Sequence, residues 1–168
     1  MNGKRITSAL LMASLLAAAT ADAEPAQWKP REFTFNYMGW NTLYTCVSLE
    51  EKVRSILLEL GARRDSSLVV QASGCVGGPS EPTKVAMVSA KFQALEPAGN
   101  GTVDGQWKAF KTGVSQLRTL NTGDCELLET MKKPITTSFT LRSSEYRTSC
   151  VPGSQPRVDF SGEALKAK

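Results

Sequence analysis

The 168-residue chain contains no histidine. That excludes Ser-His-Asp and Cys-His catalysis, every histidine-containing zinc site, and the commonest general base near neutral pH. There is no Cys-x-x-Cys pair either, so the usual half-shell of a tetrahedral zinc site and the redox-active dithiol motif are both missing. No run of Lys and Arg exceeds two residues and the formal net charge is only +4, which leaves no basic stripe for nucleic acid. Gly77-Gly78 and Gly99-Asn100-Gly101 lack a following Lys-Ser/Thr and a strand-to-helix setting, so neither supports a phosphate loop. No motif calls for a cofactor or a metal.

What is present begins with an address. Lys4 and Arg5 precede a run of apolar and small residues from Ser8 to Ala21, and Ala21-Asp22-Ala23 fits a signal-peptidase site. The run is shorter than the roughly twenty residues a membrane span needs. The expectation is a signal peptide over 1–23, a single domain over 24–168, a periplasmic or secreted location, and no transmembrane segment after cleavage. Loss of Lys4, Arg5 and Asp22 takes the net charge from +4 to near +3. The remaining chain is long enough to bury a sizeable core.

All four cysteines, Cys46, Cys75, Cys125 and Cys150, lie in that domain. An even count in an oxidising compartment reads as two disulfides, for which three pairings exist. An internal repeat favours Cys46–Cys75 with Cys125–Cys150. A four-thiolate metal site is the alternative, and the spacing does not support it.

The stretch from Cys46 to Cys75 reads as a capped helix followed by a strand. Ser48 with Glu51 fits a capping box, Leu49, Val53, Ile56, Leu57 and Leu60 share one helical face, and Gly61 stands where a left-handed residue ends a helix. Before it, Phe33, Phe35 and Tyr37 alternate through a strand from Gln27 to Met38. After it come a strand over Leu68–Ala72 and a longer one from Lys84 to Leu95. There Ala86, Val88, Ala90, Phe92 and Ala94 form one face. Glu96 to Gly105 reads as a loop, with the formal sequon Asn100-Gly101-Thr102 taken as a turn, and Gln106 to Leu117 as a strand. Asp124 is placed to cap a second helix that Pro134 would stop near Lys133. Ile135, Thr137, Phe139 and Leu141 then alternate toward Cys150, and Val158 and Phe160 mark a last strand before a frayed tail.

The repeat rests on order and spacing. Gln27-Trp28-Lys29 stands as far before Cys46 as Gln106-Trp107-Lys108 does before Cys125, and Leu49-Glu50 matches Leu128-Glu129 in the same way. Ser73-Gly74-Cys75-Val76 resembles Thr148-Ser149-Cys150-Val151, and Ala94-Leu95 resembles Ala164-Leu165. The expected fold is therefore α+β. Two β-α-β-β pseudo-repeats, about 27–95 and 106–165, form a largely antiparallel sheet with two helices on one face.

Chemistry is thinner. Ser48 and Lys52 are the nearest approach to a Ser-Lys pair, but the capping role accounts for Ser48 and the helix end is expected to expose Lys52. Glu50, Glu51, Glu126 and Glu129 are candidates for a hydrolytic carboxylate pair, although acidic residues at helix starts are favoured by the helix dipole alone. Six of the twelve aromatic residues lie between Trp28 and Tyr44. Trp40 and Tyr44, flanking Asn41 and Thr42 in a loop-like break, form the one surface site on offer: Trp40, Asn41 and Tyr44 as a contact for a partner or small ligand. The competing reading has both rings covering the disulfide at Cys46.

Tyr-x-Cys before an amphipathic helix, a later Gly-Cys, then Gly-Asp-Cys-Glu-Leu and a final Ser-Cys-Val-Pro resemble a class of uncharacterised secreted or periplasmic proteobacterial proteins with four cysteines. The resemblance implies the compartment and the cysteine pairs, and no activity. The function expected is a non-catalytic periplasmic or secreted module that binds an envelope protein or small ligand, or supports envelope assembly. The alternative is a small envelope hydrolase acting through a carboxylate pair.

Overall fold

A computed structural model describes residues 23–112, 120, 122–151 and 157–168. The segment expected to be a signal peptide, 1–23, lies outside the described residues but for Ala23, as does the end of the strand expected to reach Leu117. The elements are β1 (Glu24–Met38), α1 (Cys46–Glu59), β2 (Val69–Ser73), β3 (Val85–Pro97), β4 (Val103–Thr112), α2 (Cys125–Ser138), β5 (Leu141–Ser149) and β6 (Arg157–Ala167). A short 3-10 helix, Thr122–Asp124, leads into α2. Strand, helix, strand, strand thus runs twice through the chain. The six strands form one antiparallel sheet in the order β2-β3-β1-β4-β6-β5. The α+β fold with helices on a sheet is as expected.

Alternation builds the main core. Ala86, Val88, Ala90, Phe92 and Ala94 are all buried on one face of β3, opposite Phe35 and Tyr37 of β1. The apolar stripe of α1, from Leu49 to Leu60, is fully buried against that face, as are Leu127, Met131 and Ile135 of α2. One cluster therefore takes in both halves of the chain. On the opposite face a smaller cluster of Ala26, Leu95 and Leu165, with Trp28, Val103 and Trp107 against it, sits where β1 meets β4. The contact between those two strands is brief, Glu24–Ala26 against Val103–Gly105. Arg63 lies over Trp28 at 5.5 Å and Arg142 over Trp107 at 3.7 Å.

Several local expectations are corrected. The N-cap of α1 is Thr45, whose hydroxyl accepts from Ser48 N at 3.0 Å, so the helix starts earlier than a Ser48–Glu51 capping box requires. Its far end is as expected. Gly61, at φ +96°, donates to Leu58 O and Ala62 N to Leu57 O, a Schellman closure. Pro134 does not stop α2 but sits inside it. Met131 and Ile135 on either side are fully buried, and that burial holds the last turn despite the missing N–H. The apparent alternation from Ile135 to Leu141 is thus half helix, and β5 begins only at Leu141.

The loop expected over Glu96–Gly105 shrinks to the few residues between β3 and β4. At Gly101 a Cβ would meet Ala26 O at 2.3 Å, so only glycine lets this turn close over the start of β1. The tail expected to fray is the second half of β6, with Ala164 and Leu165 buried.

Both disulfides form as the repeat suggested. Cys46 pairs with Cys75 (Cα–Cα 6.0 Å) and Cys125 with Cys150 (5.6 Å). That state fits an oxidising compartment. No described helix is long and apolar enough to cross a membrane.

Candidate functional site

The three residues singled out for contact separate in the structure. Trp40 is 76% exposed, whereas Tyr44 is 4% exposed and packs edge-on against Tyr37 with ring centres 5.0 Å apart. The Asn41 backbone N–H and side-chain amide both donate to Glu126. Trp40 and Asn41 are exposed, with the Asn41 amide held by Glu126, and Tyr44 belongs to the core.

What orders this segment is a set of contacts from the other half of the chain. The Glu126 carboxylate accepts from Trp40 N at 3.0 Å, from Asn41 N at 3.1 Å and from Asn41 Nδ2 at 3.1 Å. Thr42 Oγ1 donates to Gly123 O at 2.7 Å, and Tyr37 OH donates to Thr42 O at 2.8 Å. The Tyr44 hydroxyl donates to Asp124. Lys52 Nζ lies 2.8 Å from Asp124 Oδ2, and the two side chains are only 14% and 1% exposed. Asp124 stands at the N-cap position expected of it but makes no side-chain cap bond. Lys52 is largely covered beside Asp124, where the helix end was expected to expose it.

Each of the carboxylates considered for hydrolysis has an architectural use or stands apart. Glu50 accepts from Ala72 N at 2.8 Å, Glu51 is exposed on α1, and Glu129 is 3.4 Å from Thr148 Oγ1. Glu126, together with Asp124 at the start of α2, fastens the 39–45 segment. Ser48 Oγ donates to Thr45 O, so it forms no couple with Lys52. Among the described residues no group of three or more Cys, Asp or Glu is placed to hold a metal.

The carboxylates also act on the tyrosines. Burial pushes the Tyr44 hydroxyl far above its ordinary range, and its bond to Asp124 adds to the shift. Burial, then the charges of Glu126 and Asp124, do the same to Tyr37, and burial raises Tyr146. These are all three tyrosines of the chain. An unfolded tyrosine ionises near pH 10, so above that pH the unfolded state releases protons that the folded state keeps, and stability falls as pH rises. Spectrophotometric titration is therefore expected to show no tyrosinate absorbance near pH 10 in the folded protein. The signal should appear only at higher pH, together with loss of the far-UV circular dichroism. Ionisation of Tyr37 or Tyr44 near pH 10 in folded protein would contradict the burial of this pair.

Around the fastened segment lies a concentration of exposed apolar side chains. Of the nine large ones among the described residues, seven fall at this end of the sheet. Met38 and Val85 are register partners, with Met87 two residues further along the same face. Trp40 and Leu43 follow in the connecting segment. Val47 and Val76 flank the Cys46–Cys75 bond. Gly39 N donates to Lys84 O, and Tyr44 bridges to Thr83, tying the segment to the start of β3. Sequence reasoning found Trp40 through its aromatic setting. It missed Met38, Val85 and Met87, whose strand parity, outward from the buried Tyr37 and Ala86, was the signal that could have placed them.

Comparison with protein-family models, with curated proteins and with solved structures finds no match.

Proposed function

We propose that the protein is a non-catalytic binding module of the periplasm or extracellular space, and that it meets an envelope partner through the end of the sheet around Trp40. The observation that carries this reading is the gathering of seven of the nine exposed large apolar side chains among the described residues at one end of the sheet. Contiguous exposed apolar surface marks interaction sites, and tryptophan is enriched among the residues that dominate such contacts. The fastening of residues 40–44 to Gly123, Asp124 and Glu126 supports it too, because a contact ordered before binding loses less entropy on association. The two disulfides support export. The reading of both halves as copies of one unit rests on the doubled element order and on the matched pairs Trp28–Arg63 and Trp107–Arg142. Each of those arginines stands at the same spacing after the first cysteine of its half.

Trp40→Ala separates contact from core. The side chain is exposed and only its backbone N–H is held, so the melting temperature is expected to stay within about 1 °C of wild type. Capture of an envelope protein by the immobilised mature chain should weaken by about 2 kcal/mol, roughly thirtyfold. Undiminished capture by the Trp40→Ala chain would refute the site.

A further inference from the structure

We propose that β5 is a self-association edge, to which a second copy of the chain adds its own β5 in antiparallel pairing about a two-fold axis at Tyr146. This goes beyond the partner contact at Trp40 and uses a different surface. The outermost strands of the sheet are β2 and β5, and they are not equally open. β2 has five residues, and a side chain already occupies one of its backbone donors, since Ala72 N donates to Glu50. β5 has nine residues and no proline, and pairs only with β6 among the described residues. Its bulge falls between Arg142 and Glu145, which leaves Glu145–Ser149 regular. A cleft of about 660 Å³ runs beside it, between α2 residues Glu129 and Lys132 and the strand itself. An added strand on such an edge satisfies main-chain donors and acceptors that otherwise face water.

The order of charges selects a second copy as the occupant. Glu145 and Arg147 share one face of β5, both exposed, and within one chain they pair with each other. In antiparallel pairing centred on Tyr146, each Glu145 lies directly opposite the other copy's Arg147. Two intrachain pairs then become one four-charge network. Opposite charges facing each other across antiparallel strands are favourable and like charges are not. Centring the pairing on Glu145 or on Arg147 would set like charges face to face, so the strand specifies its own register. On the other face the two Tyr146 rings meet. Each lies under Lys132, whose Nζ is 4.4 Å from the ring centre.

Sedimentation velocity of the mature, disulfide-bonded protein tests the proposal. A strand pairing of this length buries less than a permanent interface, so a reversible dimer is expected, its fraction rising across roughly the micromolar to millimolar range. Glu145→Arg should weaken the dimer about tenfold or more, Arg147→Glu should do the same, and the double exchange should restore it. Both side chains are exposed, so unchanged melting temperatures in all three variants will separate lost pairing from lost folding. A monomer at every concentration overturns the proposal, as does a dimer indifferent to Glu145→Arg. A double exchange that fails to restore the dimer overturns the register. A monomer in which Glu145→Arg abolishes capture of some other protein would assign the edge to that protein and refute self-association.

Discussion

Asp124→Ala is expected to lower stability by about 3–4 kcal/mol, which for a chain of this size is a fall in melting temperature of roughly 10 °C. The size follows from what is left behind. Lys52, with only 14% of its side chain exposed, loses its ion pair with Asp124, and the buried Tyr44 hydroxyl loses the carboxylate that accepts its hydrogen bond. Removing one partner of a buried pair costs more than the pair contributes, because the survivor stays desolvated and has lost a matching charge. The double variant Asp124→Ala with Lys52→Met should recover part of the loss. Its measured coupling energy, from thermal or denaturant unfolding of the four-member cycle, is expected to be at least about 1 kcal/mol. Additive losses would show that the two groups do not interact across the halves of the chain.

Removal of the first disulfide, by Cys46→Ala with Cys75→Ala, is expected to cost a similar amount. It links residues 29 apart, for which the loop-entropy model gives about 3–4 kcal/mol. Cys46 is the first residue of α1 and Cys75 follows β2, so the bond also pins the start of the helix to the end of the strand it packs on. Denaturant unfolding should show a lower midpoint. The denaturant dependence should be larger, since the unlinked chain exposes more surface on unfolding. An unfolding free energy within about 0.5 kcal/mol of wild type would show that packing of α1 on β2 and β3 holds this region without the bond.

Much of this fold is legible in local patterns. The period-two runs in β1 and β3, the buried stripe of α1 and the glycine closing it at Gly61 are each decided within a dozen residues. Their signals agree with the tertiary structure. Pro134 is misleading because its local rule, that proline ends a helix, is outweighed by burial of Ile135, which depends on strands far away in sequence. The first helix shows the same limit on a smaller scale. Ser48 and Thr45 are both good caps, and nothing nearby decides between them.

The contacts that order the Trp40 segment were beyond such reading. Glu126 and Asn41 are 85 residues apart, and Tyr44 and Asp124 are 80 apart. A carboxylate at a helix start looks the same from sequence whether it serves the helix dipole or a distant backbone N–H. Tyr44 and Trp40 likewise look alike from sequence. Only the packing of Tyr37 and the position of Asp124 send one ring inward and leave the other in solvent.

That the Trp40 end is the surface a partner meets is tested most directly by site-specific photo-crosslinking. A benzoylphenylalanine is placed at position 40 and, in separate preparations, at the exposed positions of Glu32 and Lys108, and each mature protein is irradiated in envelope extract. The expected result is one prominent crosslinked protein from position 40 and none from the other two. A partner crosslinked from position 32 or 108 and not from position 40, or no crosslink from any of the three, would contradict it.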